Sequence, residues 1–281
     1  MDIIRDIAAM KDYVRAIKTK GETISLVPTM GYFHEGHLSL MRMAKDLADH
    51  PIISLFVNPT QFGENEDLSS YPRDFERDSH QARDVGVECI FYPDASQMYR
   101  EGYATYISVE GISSKLCGVS RPIHFRGVAT VVAKLFNIIE PDVAVFGQKD
   151  YQQLVVIKRM VQDLNMNVKI IGHPTFREAD GLAMSSRNEY LTPAERKKAV
   201  VLYNALKHAG KLCKQGQHDT ARLKAEVKSM IDACPGCQVD YVEIIDPEKL
   251  EPIDTIEDRA VMALAVKLGK ARLIDNKMLE V

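Results

Sequence analysis

Six strand-length runs, several of them continuously apolar, constrain this chain more than any other feature. They are ISLV (24–27), IISLFV (52–57), VECIFY (87–92), TYISV (105–109), VAVF (143–146) and VKII (168–171). An apolar run without polar alternation fits a strand buried on both faces. Helical patterns over 37–48, 73–85, 127–139 and 151–164 lie between several of these runs. Alternating strands and helices predict a parallel sheet with right-handed crossovers. The expected fold class is α/β, a Rossmann-like doubly wound parallel sheet, whose ligands bind beyond the carboxyl ends of the strands.

The pattern changes near residue 175. Thr192, followed by Pro193 and Glu195, predicts a capping-box start for a long helix, and a second helix follows over 219–232. Three strand-like runs, QVDYVEII, AVMALAV and ARLIDN, then close the chain. Helices followed by strands predict a smaller C-terminal α+β domain. The polar stretch FREADGLAMSSRN holds the boundary, giving domains 1–175 and 176–281.

With 281 residues and 46% hydrophobic content, the chain can bury the core of one large domain or two unequal ones. Its 36 basic and 39 acidic residues give a net charge of -3, which argues against a nucleic-acid-binding surface. No apolar run approaches the roughly 20 residues that span a bilayer. The N-terminal MDIIRDIAAMKDYVRAIKTKG intersperses charge and predicts an amphipathic helix rather than a signal peptide. The expectation is a cytoplasmic protein with no membrane or nucleic-acid partner. Five cysteines, odd in number and widely scattered, do not form a disulfide framework. Cys234 and Cys237 have redox-like spacing but no companion histidines, and a turn carrying two thiols is the expected reading.

Four segments carry chemistry-bearing residues, three of them at the end of a strand-like run. In PTMGYFHEGH (28–37), His34 and His37 stand three residues apart, on one face of a helix's first turn. Free N–H groups and the helix dipole there favour an anion, and Gly31 and Gly36 let the backbone approach it closely. Alone, such a pair reads as two surface histidines. The preceding strand and the glycines turn the reading toward a nucleotide. In FVNPTQF (56–62), Asn58 and Gln61 offer amide donors and acceptors suited to a hydroxyl, a carboxylate or an amine. In GQKDYQQL (147–154), Lys149 can neutralise a phosphate as a point charge, Asp150 can cap the helix, and Gln153 falls one turn in. In MSSRN (184–188), two hydroxyls and a guanidinium can clamp a phosphate from an irregular, candidate mobile loop.

Together, PTMGYFHEGH, FVNPTQF, GQKDYQQL and READGLAMSSRN resemble the signature segments of the pantothenate synthetases, the pantoate–β-alanine ligases. RPIHFRGVATVVAKLFNI (121–138) resembles a further family segment, and the similarity covers nearly the whole chain in order. That family belongs to the nucleotidyltransferase superfamily that includes class I aminoacyl-tRNA synthetases. His34-Glu-Gly-His37 is similar to its HIGH motif, and Met184-Ser-Ser-Arg187 stands where KMSKS stands.

The resemblance implies substrates ATP, pantoate and β-alanine, and a pantoyl-adenylate intermediate. It implies an ATP site of Met30, Gly31, Tyr32, Phe33, His34, Glu35, Gly36, His37, Gly147, Gln148, Lys149, Asp150, Phe176, Met184, Ser185, Ser186 and Arg187. Catalytic roles fall to His37 as proton donor, with His34 and Lys149 on the phosphates. Gln61 and Gln153 would hold pantoate, and Gln61 and Asn58 β-alanine. Mg²⁺ would arrive with the nucleotide, with Asp78 as its candidate ligand. A homodimer is implied, as is a C-terminal domain that closes as a lid. Gln148, Phe176 and Ile123 depart from the family pattern, where glutamate, a smaller aliphatic residue and glycine are common. Two alternatives stand beside the ligase: another adenylyl-transfer enzyme on this fold, and a nucleotide-binding protein without turnover. Gln61 and Gln153 discriminate against the first, and the intact set of polar residues against the second.

Overall fold

A computed structural model of the chain describes every residue except Asn65. The strands are β1 (Asp2–Ile4), β2 (Ile24–Thr29), β3 (His50–Leu55), β4 (Cys89–Phe91), β5 (Val143–Gly147), β6 (Lys169–His173), β7 (Cys237–Ile245), β8 (Arg259–Leu268) and β9 (Ala271–Glu280). The helices are α1 (Ile7–Lys18), α2 (Glu35–Leu47), α3 (Phe75–Asp84), α4 (Ala95–Met98), α5 (Cys117–Ser120), α6 (His124–Ile139), α7 (Tyr151–Asp163), α8 (Pro193–Ala199), α9 (Val201–Lys214) and α10 (Thr220–Asp232). The chain divides into two compact units. One comprises Met1–Ser114, Gly118–Gln148 and Gln153–Pro174, and the other Lys115–Cys117, Lys149–Gln152 and Thr175–Val281.

The first unit carries a six-stranded sheet in the order β1-β4-β3-β2-β5-β6, parallel at every pairing. The chain steps from β2 outward through β3 to β4, then returns to the other side of β2 for β5 and β6. The order therefore reverses between β2 and β5, which makes their carboxyl ends the topological switch point. Pairing between them stops at Leu26↔Ala144, two residues before Pro28, which has no N–H to give a ladder. One face of the sheet is filled by Val27, Phe33, Met41, Ile53, Leu55, Ile90 and Val145, drawn from its strands, α2 and the loop between β2 and α2. The doubly wound α/β class expected from the apolar runs is the fold observed.

Two elements differ from the sequence reading. TYISV forms no strand; its Ile107 N–H is taken by the Thr130 hydroxyl oxygen at 2.9 Å instead of by a ladder. The N-terminal helix is preceded by β1, an edge strand that pairs Asp2↔Cys89 through Ile4↔Phe91.

In the second unit, β7, β8 and β9 form an antiparallel sheet. Its core joins Leu202, Leu206 and Cys213 of α9, Leu223 and Val227 of α10, and the alternating Ala260, Met262, Leu264 and Val266 of β8. The capping box forms as expected: the Thr192 hydroxyl accepts from Glu195 N–H at 3.3 Å, and the Glu195 carboxylate accepts from Thr192 N–H at 2.8 Å. The expected long helix is interrupted at Val200, so that it becomes α8 and α9. Cys234 and Cys237 are free thiols in the turn that enters β7, with Gly236 at φ +92°.

Candidate active site

Loop 30–34 leaves β2 at the switch point and takes an uncommon path. Gly31 has φ +89° and Tyr32, a residue with a side chain, has φ +54°. A Cβ at Gly31 would lie 3.0 Å from Asp78 Oδ2 and 3.2 Å from Leu55 Cδ2, so glycine is needed there for space as well as conformation. The path is fixed from α3. Asp78 Oδ2 accepts from Tyr32 N–H at 2.6 Å, and Oδ1 accepts from Phe33 N–H at 2.7 Å. Arg77 adds a hydrogen bond to Phe33 O at 3.1 Å and lies 5.0 Å over the Tyr32 ring. Phe33, fully buried, plugs the loop into the core.

Asp78 is only 1% exposed, and burial pushes its carboxyl above the ordinary range against the pull of the Phe33 and Tyr32 amides. Both of its oxygens accept from the loop backbone, so an anchoring role stands beside the metal-ligand role expected of it. Among the described residues no group of three or more His, Cys, Asp or Glu could hold a metal ion.

His34 has extended backbone (φ -130°, ψ 173°) and stands at the N-cap of α2. Its carbonyl accepts from His37 N–H at 2.8 Å, which starts the helix. Its N–H donates to His37 Nδ1 at 3.3 Å. An Nδ1 that accepts puts the proton of the neutral ring on Nε2, so His37 presents an Nε2–H donor. The two imidazole centroids are 4.0 Å apart. Glu35 pairs with Arg42 on the helix surface.

After β3 the chain makes a single 3₁₀ turn, Pro59–Gln61, capped by Asn58. Asn58 is 1% exposed and Gln61 7%. Asn58 Nδ2 donates to Gln61 Oε1 at 3.0 Å and to Gly127 O at 3.1 Å. Gln61 Nε2 donates to Met30 Sδ at 3.2 Å, which joins the second segment to the first. Gly127 of α6 permits this packing, since a Cβ there would meet Thr60 O at 2.4 Å and Gln61 Cα at 2.6 Å. His124 Nδ1 lies 3.0 Å from Gln61 O, and Arg121 grips Glu66 through Nε at 2.8 Å and Nη2 at 2.5 Å. Of these supporting groups, Arg121, His124 and Gly127 sit in the 121–138 segment; nothing in the sequence marks Tyr99, which donates to Asn58 Oδ1 at 2.7 Å.

Gly147 ends β5, on the other side of the switch point, with open space where a Cβ would stand. Gln148 Nε2 reaches Gly172 O at 3.4 Å, and Gln153 is half-buried in the first turn of α7.

In the second unit, Lys149 accepts from Asn276 Nδ2 at its backbone oxygen (2.9 Å), and its Nζ lies 3.8 Å from Asp150 Oδ2. Segment 176–184 doubles back on itself, with Met184 N–H bonded to Phe176 O at 3.0 Å and Gly181 at φ +97° in the bend. Arg177 anchors it through both Nη atoms to the buried Asp275, at 2.6 and 2.9 Å. MSSRN, expected as an irregular loop, enters a 3₁₀ turn over Ser186–Tyr190. Ser185 Oγ accepts from Arg187 N–H at 3.3 Å, and Asn188 ties the turn to Glu178 and Ala183.

The family model described as pantoate-beta-alanine ligase matches residues 2–278. A curated pantothenate synthetase of Pelotomaculum thermopropionicum is 55% identical over 279 residues, covering 99% of both chains. That of Desulfatibacillum aliphaticivorans is 53% identical over 280 residues, covering 100% of both. The crystal structure of pantothenate synthetase from Thermus thermophilus matches with a TM-score of 0.94 at 44% identity, covering 99% of each chain. The pantoate-beta-alanine ligase of Francisella tularensis, solved as a complex with beta-gamma ATP and beta-alanine, matches with a TM-score of 0.81 at 34% identity, covering 99% of this chain and 97% of that one. A match of this extent in sequence and in fold has one meaning: the chain belongs to the pantoate–β-alanine ligase family.

Proposed function

We propose that the protein joins pantoate to β-alanine at the expense of ATP, releasing pantothenate, AMP and pyrophosphate. A carboxylate is a poor acyl donor because oxide would have to leave. In the first step a pantoate carboxylate oxygen attacks the α-phosphorus, and the bond to the bridging oxygen of pyrophosphate breaks. In the second, the neutral amine of β-alanine attacks the carbonyl of the adenylate. The carbon–oxygen bond to AMP breaks, the amine nitrogen gives up a proton and an amide forms. The adenylate must be kept from water while it waits.

The observation that carries this reading is the clamped loop of the first unit. It brings His34, His37 and Met30 to the switch point and sets Met30 against Gln61. His37 Nε2–H can donate to a phosphate oxygen as charge develops on it. The N-terminus of α2 favours the same anion through its dipole. Gln61 and Gln153 are assigned to pantoate, and Asn58 with Gln61 to β-alanine. Glycines and side chains of loop 30–37 and of 147–148 are assigned to ATP. So are Lys149, Asp150, Phe176, Met184, Ser185, Ser186 and Arg187 of the second unit. Mg²⁺ enters as part of the nucleotide substrate, and no step is assigned to a resident metal. The family reading further makes the protein a cytoplasmic homodimer with no nucleic-acid partner, and light scattering of the purified protein tests the dimer. No helix among the described residues is long and apolar enough to cross a membrane.

The test is release of AMP and pyrophosphate from MgATP with pantoate and β-alanine added singly and together. AMP formed with both, alongside pantothenate, supports the ligase. Turnover with a different carboxylate would keep the adenylate chemistry and reject the acid pocket. ATP binding without any turnover would reject the reaction altogether.

A further inference from the structure

A carboxamide is nearly symmetric in shape but not in chemistry. Its two ends differ only in whether they donate or accept, so a glutamine in a substrate site is useful only if something decides which end faces the substrate. For Gln61 that decision can be traced through the buried groups behind it, all within the first unit.

Two backbone groups serve as fixed references, because neither can change its role. Gly127 O can only accept, and Thr60 N–H can only donate. Asn58 answers both: Nδ2 donates to Gly127 O at 3.1 Å, and Oδ1 accepts from Thr60 N–H at 3.4 Å. Reversing Asn58 would set oxygen against oxygen at Gly127 and hydrogen against hydrogen at Thr60, in a side chain that is 1% exposed. The second hydrogen of Asn58 Nδ2 then points at Gln61, which must show it Oε1, at 3.0 Å. Gln61 Nε2 is thereby turned to the front, beside Met30 Sδ. Gln61 so held turns its NH₂ outward, one N–H toward Met30 Sδ and the other left to donate, which suits a carboxylate or hydroxyl oxygen and cannot accept from an ammonium group.

The contact from Thr60 N–H is long, and the Thr60 hydroxyl, 3.0 Å from Asn58 Oδ1, can rotate. The shortest bond on that oxygen comes from Tyr99, whose hydroxyl lies 2.7 Å away. Tyr99 follows α4, remote in sequence, and its ring is fixed by an edge-on contact with Tyr103 (5.0 Å) and a tilted one with Phe56 (6.3 Å). Burial pushes the Tyr99 hydroxyl up to about 12, so it keeps its proton, and its capacity to donate, throughout the working range.

We propose that Tyr99 is a positioning residue: through Asn58 it holds the Gln61 carboxamide with its NH₂ presented to the acid substrate. This rests on Gln61 being an acid-binding residue, as assigned above.

The experiment is steady-state kinetics of the full-length Tyr99→Phe enzyme, with KM for pantoate, β-alanine and ATP measured separately, together with its thermal unfolding. Phenylalanine keeps the ring and removes only the hydroxyl. The expected result is a pantoate KM raised about fivefold, the worth of one neutral hydrogen bond of about 1 kcal/mol. ATP KM stays at its wild-type value, and unfolding temperature falls only by the small amount that one buried hydrogen bond contributes. Asn58→Asp is the second variant. It faces Gln61 Oε1 with a carboxylate oxygen, favours the reversed amide, and should raise pantoate KM further than Asn58→Ala does. Gln61→Ala separates the two assumptions. If it raises pantoate KM while Tyr99→Phe does not, the positioning role is overturned. If Tyr99→Phe raises ATP KM as much as pantoate KM, Tyr99 is merely structural and the proposal is again overturned. If Gln61→Ala leaves pantoate KM unchanged, the assignment of Gln61 is wrong and the proposal falls with it.

Discussion

Asp78 spends one carboxylate on two consecutive amides of a loop whose residues Gly31 and Tyr32 both sit at positive φ. A left-handed conformation at a residue with a side chain costs of order 1 kcal/mol or more, so the loop needs an anchor to hold it. Asp78→Ala leaves the buried Phe33 N–H and its neighbour without an acceptor. We expect about 3 kcal/mol lost in urea unfolding and a raised KM for ATP. Asp78→Asn, which keeps one acceptor and turns an NH₂ against a backbone N–H, should lie between. A metal-ligand role predicts that excess Mg²⁺ restores activity to these variants; the anchoring role predicts that it does not. The anchoring contacts of Asp78 were not legible in the sequence, because its partners lie 45 and 46 positions away. The same holds for Tyr99 and Asn58, separated by 41 positions, whereas His34 and His37 could be paired from spacing within one turn.

Among elements, α6 and the 3₁₀ turn at Pro59–Gln61 show what helix propensity cannot decide. Glycine inside a helix is worse than alanine by about 1 kcal/mol, so Gly127→Ala should stabilise an isolated α6. Here the new methyl would enter the backbone of Thr60 and Gln61, at 2.4 and 2.6 Å, and neither atom is the end of a flexible side chain. Overpacking of this kind costs about 1–3 kcal/mol, which outweighs the gain. Gly127→Ala is therefore expected to lower the unfolding midpoint and to raise pantoate KM, since Gln61 itself must move. A stabilised variant with unchanged KM would count against this packing. Element type was legible where burial on both faces left a continuous apolar run, as in β2 and β3. It was not legible where three residues, Asp2–Ile4, join a sheet edge next to a strong helical pattern. TYISV misleads in the opposite sense: its composition suits a strand, but Thr130 takes the Ile107 amide that a ladder would need.

On the scale of the whole chain, acid is the informative perturbation. At neutral pH the net charge is only -3, but protonating 39 carboxylates would leave 36 basic residues and 8 histidines to repel one another. That background falls on every variant alike. On top of it, each unit has an arginine–carboxylate pair with its own pH dependence. In the first, burial pushes the Glu66 carboxyl up, but the Arg121 guanidinium outweighs it and holds the group below its usual range. In the second, the hydrogen bond from Arg196 holds Asp180 below its usual range. A carboxyl depressed on folding contributes stability that is complete above its unfolded value of about 4 and is lost as pH falls through the folded value. Unfolding midpoints should therefore drop on acidification below about pH 4. The two pairs should not contribute equally. The Asp180 side chain is 44% exposed against 24% for Glu66, and solvent screens the more exposed pair. Urea unfolding of wild type, Glu66→Gln and Asp180→Asn from pH 7 to pH 3 checks this. Glu66→Gln should start lower at pH 7 and fall less steeply, converging on wild type in acid, while Asp180→Asn tracks wild type closely. A Glu66→Gln curve that stays parallel to wild type down to pH 3 would mean that Arg121 does not hold that carboxylate charged.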